Sequence, residues 1–188
     1  MSFARTYIRS VDAMNYRIGR VMMYGIFVMG GILLWSSISK TFFNPSLWTL
    51  EMAQFAMVTY YILGGPYSIQ IGANVRMDLF YGEWSDHRKA QIDAITVLML
   101  IFYLGVLLYG ALGSMAYSLG HYKNVPFQFY WGLLTGAEEI GRLEHSATAW
   151  RPVIWPIKLI MCFGFFLMLL QAISELLKDL IRIKGGTV

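Results

Sequence analysis

The stretch VIWPIKLIMCFGFFLMLLQAISELL, residues 153–177, decides the fold. Its only ionisable side chains besides Cys162 are Lys158 and Glu175, one near each end, and residues 159–170 carry no polar group larger than a thiol. A helix needs about 20 predominantly apolar residues to cross the hydrocarbon of a bilayer. A helix on a soluble core would instead show a polar face every turn. This stretch therefore predicts a membrane span.

Working outward, three further runs read the same way. They are VMMYGIFVMGGILLWSSISKTFF at 21–43, a run at 47–71, and a long one at 92–119. Over the whole chain of 188 residues, 57% are hydrophobic and 14% charged. Soluble domains average about 45–50% apolar and roughly 25% charged, so both departures point to the membrane. The runs do not alternate polar and apolar over about ten residues, as strands of a membrane barrel do. Lipid cannot satisfy bare backbone groups, so the spans are helices. The expected fold is all-α and integral to the membrane: one membrane domain, residues 1–188, with four transmembrane helices.

Lys and Arg set the orientation. The arm at 1–19 and its junction with the first span hold Arg5, Arg9, Arg17 and Arg20; the loop at 72–91 holds Arg76, Arg88 and Lys89; the tail at 178–188 holds Lys178, Arg182 and Lys184. These ten lie on one side. Lys40, Lys123, Arg142 and Arg151 lie on the other, and Lys158 lies inside the fourth span. By the positive-inside bias both termini are cytoplasmic. The net charge of +4 is thus an orientation signal rather than a sign of nucleic-acid binding. The first apolar run is too long for a cleaved signal and lacks an A-x-A-like site, so an uncleaved span is expected.

In the arm, Phe3, Tyr7, Val11, Met14 and Ile18 recur at helical spacing. This predicts a short amphipathic helix on the cytoplasmic interface. The loop at 120–152 is then the large external one. Its VPFQFYWGLLTG, residues 125–136, is apolar but too short to cross, and is expected along the outer interface. The following GAEEIGRLEHS, residues 136–146, is expected to be solvated.

Motifs for catalysis are missing: no metalloprotease HExxH, nucleophile elbow or phosphate-binding glycine loop occurs. His87, His121 and His145 all fall outside the apolar runs, which argues against paired haem ligation within the membrane. The single cysteine, Cys162, excludes an internal disulfide and reads as a packing residue. No enzyme, metal site or cofactor is expected in this chain.

Ionisable groups inside apolar runs are the stronger signals, because burying them is costly. Trp48-x-x-Glu51 opens the second run and Trp155-x-x-Lys158 opens the fourth. Both charges fall about one turn inside the outer interface, so they either pair across the bundle or snorkel to headgroups. Gln54, one turn after Glu51, would extend a polar face for helix contact. Gly64-Gly65-Pro66 predicts a bend near the cytoplasmic end of the second run. Gly25 in the first run and Gly105 and Gly110 in the third, with Gly110-xxx-Ser114 at small-xxx-small spacing, predict close helix approach. At the mouth of the second run, Arg76 can reach lipid phosphate and Asp78 can cap the next helix.

With those residues in view, GGPYSIQIGANVRMDLFYGEWSDHRKAQID (64–93) resembles the signature of the small membrane subunit of tripartite ATP-independent periplasmic (TRAP) transporters, the DctQ-like family. Glu51, Arg76 and Asp78 stand at the family's matching positions, and Asn74 stands where histidine is common. The last span is similar too, through Trp155, Pro156, Lys158, Leu170 and Gln171. The external loop is longer than the family's usual connection.

The resemblance implies a small permease subunit in the bacterial inner membrane, multi-pass, that braces a large membrane subunit. That partner would hold the sodium and solute sites. A periplasmic substrate-binding protein would deliver a small solute, commonly an organic acid. Membrane lipid is the remaining partner; nucleic acid is not one. Trp48, Glu51, Gln54, Arg76, Asp78, Trp155, Lys158 and Gln171 are the candidates for subunit contact or anchoring, and Gly25, Gly64, Gly65, Pro66, Gly105 and Gly110 for helix packing. The competing readings are a self-sufficient small homo-oligomeric transporter, with Glu51 as its ion-coupling carboxylate, and a membrane anchor subunit of a redox complex.

Overall fold

A segment removed from water must pair every backbone N–H and C=O within itself, which makes each apolar run a helix. A computed structural model gives the arrangement and describes residues 2–73, 86–122 and 125–183. Among these the elements are α1 (Ser2–Met22), α2 (Gly25–Phe42), α3 (Thr49–Gln70), α4 (Asp86–Ser118), α5 (Pro126–Thr135) and α6 (Trp155–Ile183). The only β pairing there is a bridge between His145 and Val153. Arg76 and Asp78 lie outside the described residues.

α6 is the hub and touches α1, α3 and α4, while α2 rests on α3 and α5 on α4. Six of its nine buried residues fall in two seven-residue series, Ile157–Gly164–Gln171 and Leu167–Ser174–Ile181. Such a repeat keeps one seam facing a neighbour along a long helix. Glycines let the backbones close in. A Cβ on Gly164 would collide with Ile62 of α3, one on Gly65 would lie 2.8 Å from Met168 Sδ, and one on Gly19 would strike Tyr67. The α2–α3 turn is closed by hydroxyls: Ser39 and Ser46 lie 3.1 Å apart, Ser46 and Thr49 2.9 Å, and Thr49 and Ser36 3.1 Å.

Several expectations change. The first helix of the bundle starts at Gly25, not at 21, because Met23 and Tyr24 form a turn, with Tyr24 N–H bonded to Val21 O at 3.1 Å. Among the described residues, three helical stretches are long and apolar enough to cross a membrane: Phe3–Phe42, Gln91–Ser118 and Trp155–Ile183. α3 is not among them; its Glu51, Gln54, Ser68 and Gln70 dilute its apolar character.

α1 is a helix, and the face it packs on the bundle is offset from its apolar stripe. Ile8, Val11 and Asn15 are buried, whereas Phe3 is 83% exposed and Met14 36%. That face packs on α3 and α6. Arg5, Arg9, Arg17 and Arg20 all face outward. Of the expected packing glycines, Gly25 would place a Cβ 3.2 Å from the Tyr60 ring, but Gly64, Gly105 and Gly110 have nothing within 4 Å. Pro66 is buried inside an unbroken α3.

The described part of the loop at 120–152 is folded rather than loose. Pro126 opens α5 and Gly136, at φ 73°, closes it, the usual placement of both residues. Phe129, only 1% exposed, packs with Ala116 and Leu119 beneath Tyr130, Leu143 and Trp155.

Candidate functional site

Two polar clusters hold α6 at its two ends, and each fastens a segment from outside the bundle. At the Trp155 end the chain leaves α4 through Gly120, whose φ of 93° is a left-handed conformation. A Cβ there would sit 2.7 Å from Arg142 N, so the returning loop needs a glycine. Backbone bonds then lay the loop over the helix ends. Gly141 N–H donates to Leu119 O at 2.9 Å, Glu144 N–H to Ser118 O at 3.0 Å, and Ser146 N–H to Pro152 O at 2.9 Å.

This path brings Glu144 Oε2 to 2.6 Å from Lys158 Nζ, which also donates to Ser114 O at 3.1 Å. It brings Ser146 and Thr148 over Glu51. The Ser146 hydroxyl donates to Glu51 Oε1 at 2.5 Å, and Thr148 Oγ1 donates to the same oxygen. Glu51 is 4% exposed, and its Oε2 has no hydrogen-bond partner. Glu51 and Lys158 therefore do not pair with each other; each is held by its own segment of the loop. The expectation of a solvated acidic segment is corrected as well. Glu144 binds Lys158, and Glu138 lies 3.3 Å from Nδ1 of the buried His121.

Trp48 caps α3 with its backbone and is 37% exposed, while Trp155 packs on the α4–α5 core. Gln54 is exposed, so it does not share the buried face of Glu51. Tyr130 of α5 donates to Leu112 O at 2.8 Å. Burial, reinforced by the charge Cys162 would carry as a thiolate, pushes the Tyr130 hydroxyl up to about 12.

At the other end, α1 docks on α6. Gln171 is fully buried and accepts from Asn15 Nδ2 at 2.7 Å while donating to Asp12 Oδ1 at 2.9 Å. Ser174 donates to the same Asp12 oxygen at 3.0 Å. Lys178 Nζ stands 2.7 Å from Asp12 Oδ2 and 2.8 Å from Glu175 Oε1. Gln70 of α3 adds a bond to the Asp12 carbonyl at 3.2 Å, and Tyr7 one to Leu170 O at 3.2 Å. Of this group sequence reasoning had singled out Gln171 alone as a candidate contact residue. Asp12 and Asn15 were visible as polar residues three apart on the arm, and Gln171, Ser174 and Lys178 as one polar stripe on α6.

Such networks favour one packing when every member finds a partner, and the low dielectric strengthens each bond. They bind protein to protein, although Asn15 Oδ1, Gln70 Oε1, Glu51 Oε2 and His121 Nε2 stay buried without a hydrogen-bond partner among the described residues. Among the described residues, no group of three His, Cys, Asp or Glu side chains could hold a metal.

A family model described as "Tripartite ATP-independent periplasmic transporters, DctQ component" matches residues 29–182, from within α2 almost to the end of α6. No curated protein and no solved structure matches. The chain belongs to the DctQ family, the small component of the tripartite ATP-independent periplasmic transporters.

Proposed function

We propose that this chain is the static brace of its transporter, a single membrane domain that positions the large membrane subunit and carries no solute itself. α2, α3, α4 and α6 cross the bacterial inner membrane, with both termini cytoplasmic. α3 supplies the fourth crossing: its 22 residues span about 33 Å at 1.5 Å per residue. Its polar groups lie mostly at its two ends, where headgroups and loops can satisfy them. α1 lies at the cytoplasmic face. The large subunit holds the sodium and solute sites, and a periplasmic binding protein delivers the solute, an organic acid.

One observation carries this reading. Glu51, Lys158 and Gln171, the polar residues a transport path would need free, are each engaged by arm or loop partners. A transport site gathers several polar groups near midplane on interrupted helices. Here the polar groups gather at the ends. The exposed apolar surface of α2 and α4 is left for lipid and a large partner, with Phe27 74%, Leu34 67% and Phe102 76% exposed.

The experiment is purification in mild detergent through a tag on this chain, then reconstitution. Co-purification of a much larger membrane protein is expected, with sodium-dependent uptake only when that protein and the binding protein are present. Uptake by this chain alone would overturn the reading, as would its isolation solely as a homo-oligomer.

A further inference from the structure

The external loop bounds a concavity of about 560 Å³ lined by Arg142, Leu143, His145 and Arg151. We infer that it binds the phosphate of an anionic phospholipid headgroup, which fixes the depth of the loop against the membrane. The argument begins with the loop's acids. Glu144 turns inward to Lys158 and Glu138 to His121. Neither Arg142 nor Arg151 has a carboxylate within ion-pair distance among the described residues. The two guanidiniums therefore line the concavity with their charge unneutralised. Arginine presents a planar fork of donors that matches phosphate oxygens two at a time.

The backbone holds both arginines in place. The Arg142 amide sits against Gly120, at the end of α4. Arg151 adopts a φ of 48°, the one non-glycine in the left-handed region among the described residues. That conformation is costly unless its surroundings impose it. Here the His145–Val153 bridge and the bond from Arg151 N–H to Thr148 O, at 3.2 Å, do so.

The neighbours of the concavity select a lipid over a soluble acidic partner. Trp150 is 41% exposed beside Arg151, and Ile140 56% exposed near Arg142. On α5, Trp131 is 70% exposed and Leu134 82%. Tryptophan and arginine together at the ends of apolar helices match the level of the headgroups. The inference rests on the proposed orientation only for the choice of leaflet.

The test uses the full chain solubilised in mild detergent, with whatever partner it retains. Hydrogen–deuterium exchange across residues 142–151 is followed while short-chain phosphatidylglycerol, short-chain phosphatidylcholine or inorganic phosphate is added. Phosphatidylglycerol is expected to slow exchange, and the R142Q/R151Q double variant to need about 30-fold more of it. That factor is roughly two basic residues' worth of attraction to an anionic surface. Unchanged exchange in α6 shows that the variant is folded. Equal protection by phosphatidylcholine overturns the inference, as does an undiminished response of the variant. Equal protection by inorganic phosphate overturns the lipid source and makes the concavity a site for free anions. Failure to isolate a large subunit would defeat the brace reading and leave these outcomes unaffected.

Discussion

Lys158 illustrates what a charge inside an apolar run demands. Its side chain is 16% exposed, and it has three ways to stay charged: Glu144 at 2.6 Å, the Ser114 carbonyl at 3.1 Å, and the Tyr117 ring at 5.7 Å. Glu51 meets the same demand with hydroxyls. The two charges were legible in the sequence as costly residues near the outer ends of their helices. Their partners were not, because Glu144, Ser146 and Thr148 reach them only through a turn set by Gly120. A double-mutant cycle separates the two pairings. Glu144→Gln with Lys158→Met should show a coupling of about 1–3 kcal/mol in the unfolding of the purified protein, the range for residues in contact. Glu51→Gln with Lys158→Met should be additive to within about 0.5 kcal/mol. The reverse ranking would place Lys158 against Glu51 instead.

At the scale of elements, α2, α3, α4 and α6 were readable because each lies in a long apolar run, and α1 because of its helical spacing; α5 was not, because its ten residues are too short a pattern. The face by which α1 docks on the bundle was not read from the sequence. Apolar spacing picked out Phe3 and Met14, which are exposed, and passed over Asp12 and Asn15. Periodicity treats a polar residue as facing water, but α6 offers Gln171, Ser174 and Lys178 as partners at that very register. The arm is thus docked by hydrogen bonds as much as by apolar contact. Asp12→Ala takes the acceptor from Gln171, Ser174 and Lys178 together, and a buried donor left unpaired costs about 1–3 kcal/mol. A loss of about 2 kcal/mol from the docking of α1 is expected by the same reasoning. Amide exchange over residues 2–22 should then rise several-fold while α4 and α6 keep their protection. Unchanged exchange in α1 would mean that the apolar residues alone hold it.

Across the whole molecule the glycines divide by what faces them, and that division maps inside from outside. Gly19, Gly65 and Gly164 each meet another helix so closely that a Cβ does not fit. Gly30 and Gly31 of α2, and Gly105, Gly110 and Gly113 of α4, meet nothing within 4 Å. The sequence could not sort them, since adjacent Gly64 and Gly65 fall on opposite sides of the division. Whatever covers the open glycines lies outside the described residues, and a family built to assemble supplies a candidate in the large subunit. Gly164→Ala should destabilise the isolated protein by about 1–3 kcal/mol, the cost of overpacking. Gly30→Leu and Gly110→Leu, made separately, should leave its unfolding unchanged or slightly raised, because glycine inside a helix costs about 1 kcal/mol relative to better helix formers. Recovery of the large subunit by co-purification should nonetheless fall for the variant whose glycine faces it, and stay at the wild-type level for one that faces lipid. Full recovery with both variants would remove the open glycines from the interface and assign these faces of α2 and α4 to the bilayer.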